Sequence, residues 1–427
     1  MTEGNSAAPD HTTCAIVGGG PAGIVLGLLL ARAGIEVTVL EKHADFLRDF
    51  RGDTVHPATL GLLDDLGLFE QFDALPHSKL RRAYFPGRDG SDVFADFDRL
   101  PVRHPYIAMV PQWDLLDLLA DTAAAEPTFT LRREHTVTAV TRRGGRVTGV
   151  AYTSPDGEGR LSADLVVGCD GRWSTVRRSV GLPVREIPVR FDVWWYRLPT
   201  DRPLPESLLP RVRDGRVAIG IPRRGYVQVA ALGPKGTDAE VRSRGIGAFR
   251  RDAAILFPEL DDGVDALSSM DDVKHLDVRL ERLRRWHANN VLCIGDAAHA
   301  MSPVGGVGIN LAIQDAVVTA RLLAGPLARG ELDRPGGSRV LARVRRRRLP
   351  AVAVIQTLQR ILHARLIMPA LGGDPLDPPA WLLRLVRVVP AVTALPAFLI
   401  GVGVRPERAP SWARRPDGSP RVRRATR

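Results

Sequence analysis

Six residues near the N-terminus, Gly18-Gly19-Gly20-Pro21-Ala22-Gly23, constrain the fold of this chain more than any other feature. They follow the apolar run Cys14-Ala-Ile-Val-Gly18 and precede Ile24 to Ala33, a Leu- and Ala-rich stretch stopped by Gly34. Val37 to Leu40 is apolar again, so residues 14 to 41 predict a strand, a helix and a second strand parallel to the first. The turn fits G-x-G-x-x-G: Gly18 permits the tight turn, Gly20 lets a pyrophosphate approach the backbone, and Gly23 lets helix and strand pack closely. A diphosphate then sits on the helix N-terminus. Glu41, at the end of the second strand, is where a carboxylate accepts hydrogen bonds from a ribose.

Two further motifs share this grammar. Leu165 to Cys169 and Val291 to Gly295 are apolar runs that each end in a glycine-and-aspartate turn before a helical segment, as Gly168-Cys-Asp170-Gly171-Arg172 and as Gly295-Asp296-Ala-Ala-His299. The latter continues through Pro303 and Gly305-Gly306-Val-Gly308-Ile309-Asn310 to Asp315. An aspartate at a strand end suits a ribityl or ribose hydroxyl, and glycines at a helix mouth offer N–H groups to negative charge. Strands so far apart in sequence imply an insertion. Residues 190 to 232, with alternating and aromatic patterns broken by Pro199, Gly220 and Pro222, read as that inserted β-sheet.

With these three ordered motifs the sequence resembles the class A FAD-dependent aromatic monooxygenases, the para-hydroxybenzoate hydroxylase-like and ubiquinone-hydroxylase-like flavoproteins, from Cys14 to about Pro406. The resemblance implies an α/β fold: a Rossmann-like FAD-binding domain (10–75, 106–182 and 286–335), an inserted β-sheet substrate domain (76–105 and 183–285) and a C-terminal helical segment (336–404). A basic tail, 405–427, is expected to be disordered. By the same resemblance Gly18, Gly20, Pro21, Ala22, Gly23, Glu41 and Lys42 hold the AMP half of FAD. Arg51 and Gln112 lie along the cofactor, and Asp170 belongs to a motif associated with FAD and the nicotinamide. Gly295 and Asp296 take the ribityl chain, with Pro303, Gly306, Gly308, Ile309 and Asn310 around the isoalloxazine. Val307 stands where many relatives have glutamine, so only backbone contacts are expected there.

The implied chemistry uses NADH or NADPH as a transient reductant, since only one complete G-x-G-x-x-G unit is present, and O2 captured by reduced flavin as a C4a-hydroperoxide. The product is a hydroxylated or epoxidised electron-rich small molecule, aromatic or polyketide-type. No catalytic side chain is assigned. In Phe191-Asp-Val-Trp-Trp-Tyr-Arg-Leu198 alternation puts Val193, Trp195 and Arg197 on one strand face. Trp195 and Arg197 are therefore candidate substrate contacts, with Gln228 on a neighbouring strand. His56 and His299 read as structural or cofactor-adjacent. A reductase or dehydrogenase of an isoprenoid or quinone-like substrate is the alternative enzyme class, separated by oxygen dependence. A halogenase would carry Trp-x-Trp-x-Ile-Pro, and the nearest string here is Trp194-Trp-Tyr-Arg-Leu-Pro199.

Composition bounds the rest. A chain of 427 residues, 44% hydrophobic and 25% charged, supports two or three globular domains. Three cysteines make no disulfide framework and no metal site is expected. The first thirteen residues are polar, and a cytoplasmic location is expected. Eight arginines against Glu407 and Asp417 after residue 404 carry more than half of the net charge of +11, so that charge reads as a solvated tail and not as a nucleic-acid surface. The cluster Arg343 with Arg345 to Arg348 reads as a solvated helix face. Val388 to Val404 has no charge but contains Pro390, Pro396, Gly401 and Gly403. It predicts a packed C-terminal cap, with weak peripheral membrane contact as the alternative.

Overall fold

The computed structural model describes residues 10–47, 54–84, 92–204, 207–334, 336–374 and 379–415. Strand β1 (His11–Val17), helix α1 (Pro21–Arg32) and β2 (Val37–Leu40) form the expected unit, with β2 parallel to β1. Around them a parallel layer runs in the order β12, β6, β1, β2, β3, where β3 is Phe129–Arg132, β6 is Gly157–Gly168 and β12 is Val291–Cys293. The first half of β6 pairs antiparallel with β5 (Arg146–Ser154), which pairs with β4 (Thr136–Arg143). Ile16, Val39, Leu165 and Leu292 are fully buried, as strands covered by helices on both faces require.

The middle of the chain forms a second, five-stranded antiparallel sheet in the order β8, β9, β10, β7, β11. Here β7 is Phe191–Pro199, β8 Leu209–Arg213, β9 Arg216–Arg223, β10 Tyr226–Pro234 and β11 Lys274–Leu276. One face, carrying Trp194, Tyr196, Leu198, Val227 and Val229, packs with Val241 of helix α4 (Asp238–Ser243), Leu256 of helix α5 (Gly245–Leu256) and Phe257 into a separate core. Residues 76–84 and 92–105 bridge the two units. Ser78–Leu80 pairs with Ile107–Met109, which also pairs with Thr54–Val55, while Leu80, Phe97 and Leu100 pack against Leu208 and Ile221.

Helix α6 (Gly308–Ala328) and the long α7 (Gly337–Leu362) close the FAD-binding layer. Among the described residues α6 is the one helix long and apolar enough to cross a membrane, yet two-thirds of its apolar window is buried as a core helix. Two expectations about charge are corrected. The chain from Arg405 to Arg415 is packed, because Glu407 is buried between Arg321 and Arg347 at 2.6 Å each, Ala409 and Ala413 enter the main core, and the Arg415 N–H donates to the Asp65 carbonyl. The rest of that segment, 416–427, lies outside the described residues. Nor is the Arg343–Arg348 cluster only a solvated face, since Arg348 is 1% exposed and ion-paired.

Candidate active site

Three segments more than a hundred residues apart meet because glycines allow it. Gly18 has φ +102°, and a Cβ there would lie 2.6 Å from the Cys169 carbonyl oxygen, so the first turn sits directly on the second motif. Gly295 has φ +57°, with Cβ positions of Ala312 and Ala22 3.2 and 3.3 Å from where its own would be. The third motif is thereby wedged between the first turns of α1 and α6.

The donor set of this cleft fits a flavin dinucleotide. Neither α1, capped by Gly20, nor α6, capped by Val307, receives a side-chain cap, so their first N–H groups face the cleft without helical acceptors. Glu41 is 2% exposed; its Oε2 accepts the Gly19 N–H at 2.7 Å and its Oε1 the His43 N–H at 3.1 Å, which fixes the glycine turn. Asn310 Oδ1 accepts from the His56 N–H and the Thr59 hydroxyl, whereas its buried Nδ2 has no partner among the described residues. An unmet buried donor costs about 1–3 kcal/mol and calls for a ligand acceptor. A carbonyl at the pyrimidine edge of a flavin supplies one.

Asp296, half-buried, stands on the single turn Gly295–Ala297 after β12, and Pro303 and Gly306 shape the turn before α6, where Thr54 donates to the Gly306 carbonyl. Gln112 opens helix α3 (Gln112–Ala124). Lys42 is exposed, and Arg51 lies outside the described residues. Asp170 accepts from the Val176 N–H at the start of Thr175–Ser179, and burial raises its carboxyl despite that bond and one from Ser174. Sequence reasoning gave Asp315 no role. Its Oδ2 accepts from the Gly295 N–H at 3.1 Å and from His299 Nε2 at 2.6 Å, and its Oδ1 from Arg348 Nε at 2.9 Å. Burial opposes the charge on Asp315, but His299 and Arg348 hold its carboxyl below the usual range. His299 thus anchors a turn, and His56, at the N-terminal end of helix α2 (Pro57–Leu66), turns its ring away from the helix, its Nδ1 donating to the Ile400 carbonyl while burial lowers the imidazole to about 4.

In the second sheet, the register of β7 against β10 places Trp195 across from Ala230 and Arg197 across from Gln228, so these share one face. Gln228 is buried, and the buried indole N–H of Trp195 has no acceptor among the described residues. Arg197 Cζ lies 5.2 Å from the Tyr226 ring and 5.9 Å from the ring of Trp113, on α3 next to Gln112. Two residues of this face escaped the sequence reading. Arg223, 8% exposed, continues the alternation of Ile219 and Ile221 on β9, so extending that strand by one period finds it. Trp113 carried no signal of its own, because its partner comes from the other sheet.

The FAD binding domain family model matches residues 11–354. The chain is 35% identical over 372 residues to 6-methylpretetramide 4-monooxygenase of Streptomyces rimosus, covering 84% of this chain and 85% of that protein. It is 30% identical over 317 residues to rifampicin monooxygenase of Streptomyces venezuelae, covering 70% of this chain and 61% of that longer protein. Among solved structures it resembles OxyS anhydrotetracycline hydroxylase from Streptomyces rimosus, with TM-score 0.72 and 27% identity over 92% of this chain and 77% of that one. The fold and cleft are those of a flavoprotein oxidoreductase. The chain belongs to the FAD-dependent aromatic monooxygenases of the FAD binding domain family and uses FAD with a reduced nicotinamide.

Proposed function

We propose that this enzyme hydroxylates a fused-ring aromatic small molecule of polyketide type, held between the second sheet and the flavin. Bound FAD supplies hydride acceptance from NAD(P)H and activation of O2. The protein supplies position, charge and exclusion of water. Glu41 and the turn Gly18 to Gly23 hold the adenosine and diphosphate, Gly295 and Asp296 the ribityl chain, and the N–H groups of Gly308, Ile309 and Asn310 the pyrimidine edge, with Gln112, Asp170, Pro303 and Gly306 around them. Lys42, exposed beside Glu41, steers the adenosine end only. The nicotinamide visits from solvent, and the enzyme works in the cytoplasm without a nucleic-acid partner.

The observation that carries the substrate reading is Arg197 set between Tyr226 and Trp113, beside Gln228 and the indole N–H of Trp195, which has no acceptor among the described residues. A planar, electron-rich ligand with phenolic or enolic oxygens meets both the flat aromatic surface and the donors. The named activities of the tetracycline and rifampicin relatives support the same class. The test is Arg197→Ala, assayed for NAD(P)H consumption, hydroxylated product and hydrogen peroxide over a panel of polycyclic phenols. Expected are unchanged FAD content, a substrate KM raised about tenfold and a several-fold rise in peroxide per product. Normal coupling and KM would remove Arg197 from the substrate site.

A further inference from the structure

Half of the most exposed large apolar side chains among the described residues lie between Trp381 and Phe398: Trp381, Leu385, Val388, Val389, Leu395 and Phe398. They form two stripes. On helix α8 (Ala380–Val388), Trp381, Leu385 and Val388 follow at i, i+4 and i+7 on one face, while Val386 is buried. On helix α9 (Ala394–Gly401), Leu395 and Phe398 are outward, while Ala397 packs in the core of Phe97 and Leu100. The axes of α8 and of the helical segment Pro390–Gly401, which ends in α9, meet at 107°, so the pair makes a wedge that cannot span a bilayer as one rod.

The charge around the wedge has one sign. No Asp or Glu occurs from residue 379 to 404, whereas Arg384 and Arg387 rise from α8 and exposed Arg405 and Arg408 follow α9. Arg387 already satisfies Asp92 through two bonds of 2.7 Å. A two-fold contact with a second copy would bring Arg384 against its own copy with no carboxylate in the segment to pair it. Lipid phosphates accept the arginines and the acyl boundary accepts the apolar stripes, with tryptophan at the level between them. We propose that the α8–α9 wedge docks this enzyme peripherally on an anionic lipid surface. Docking holds that surface close to the cofactor cleft, because the Ile400 carbonyl on α9 takes the His56 Nδ1–H and the His56 N–H donates to Asn310.

The test is flotation of the FAD-loaded full chain with vesicles of phosphatidylcholine alone or mixed in equal parts with phosphatidylglycerol, alongside the Trp381→Ser/Leu395→Ser and Arg384→Gln variants. Expected are binding to the mixed vesicles, little to the neutral ones, and partition weakened about tenfold by the double variant and several-fold by Arg384→Gln. FAD content and turnover of a dissolved substrate stay unchanged. Wild-type protein that floats with neither vesicle, or variants that bind as well as wild type, overturn the proposal. A dimer in buffer that the double variant dissociates, with no vesicle binding, would instead assign the wedge to a second copy and equally overturn it.

Discussion

Asp315→Asn isolates the buried network behind the Gly295–Ala297 turn. Asp315 and Arg348 are 0% and 1% exposed, and one carboxylate satisfies the guanidinium, the His299 ring and the Gly295 N–H together. An amide offers one oxygen for three donors and sets its own N–H2 against one of them. Breaking a buried ion pair from one side costs about 3–5 kcal/mol, a large part of the roughly 5–15 kcal/mol that holds such a protein folded. Urea unfolding of FAD-free and FAD-saturated protein reads the stability, and quenching of flavin fluorescence reads FAD affinity. The single variant is expected to lose about 3–5 kcal/mol and to bind FAD more weakly. Asp315→Leu combined with Arg348→Met is expected to recover most of the stability, since no charge is then buried alone, but not the FAD affinity, since the Gly295 N–H still lacks its acceptor. A loss under about 1 kcal/mol for Asp315→Asn, or a double variant as unstable as the two single changes added, would refute the reasoning.

Glu41→Ala removes the acceptor of the Gly19 N–H and is expected to weaken FAD about ten- to hundredfold in a fluorescence titration, as is Asp296→Ala through the ribityl chain. Unchanged affinity in either variant would withdraw that residue from the site. Burial lowers His56 from 6.5 to about 4, so the folded chain resists a proton that the unfolded chain accepts. The stability His56 lends is therefore complete above pH 6.5 and is lost as pH falls toward 4, by up to about 3 kcal/mol. His56→Asn keeps an N–H for the Ile400 carbonyl and is expected to flatten that part of the acid limb of thermal unfolding. His363, also lowered to about 4 by burial, retains its own share. An unaltered acid limb would show that His56 does not titrate this way.

Strands β1, β6 and β12 were legible because each runs into a glycine turn, a local pattern visible without knowing the partners, and β2 followed from the helix stopped by Gly34, whereas β3, ending in Arg132-Arg133-Glu134, carried no such signal. The alternation in Phe191 to Leu198 likewise placed Trp195 and Arg197 on one face of β7, as the register shows. What the sequence hid depends on distant pairing. Arg348 looked like one more cation in a basic run until Asp315, on another helix, buried it. Glu407 looked like a minority charge in an arginine-rich tail, yet it is the anchor that packs the tail, between Arg321 and Arg347. Trp113 meets the proposed substrate face through Arg197, across the boundary between the two sheets.

Product formed under isotopically heavy dioxygen, with NAD(P)H and an electron-rich polycyclic phenol, tests the central claim most directly. Mass spectrometry of that product is expected to show one oxygen atom gained from the gas, none from water, and NAD(P)H consumed in step with it. A turned-over product carrying no oxygen from the gas, formed equally well without O2, would make the enzyme a reductase or another non-oxygenating catalyst on the same fold.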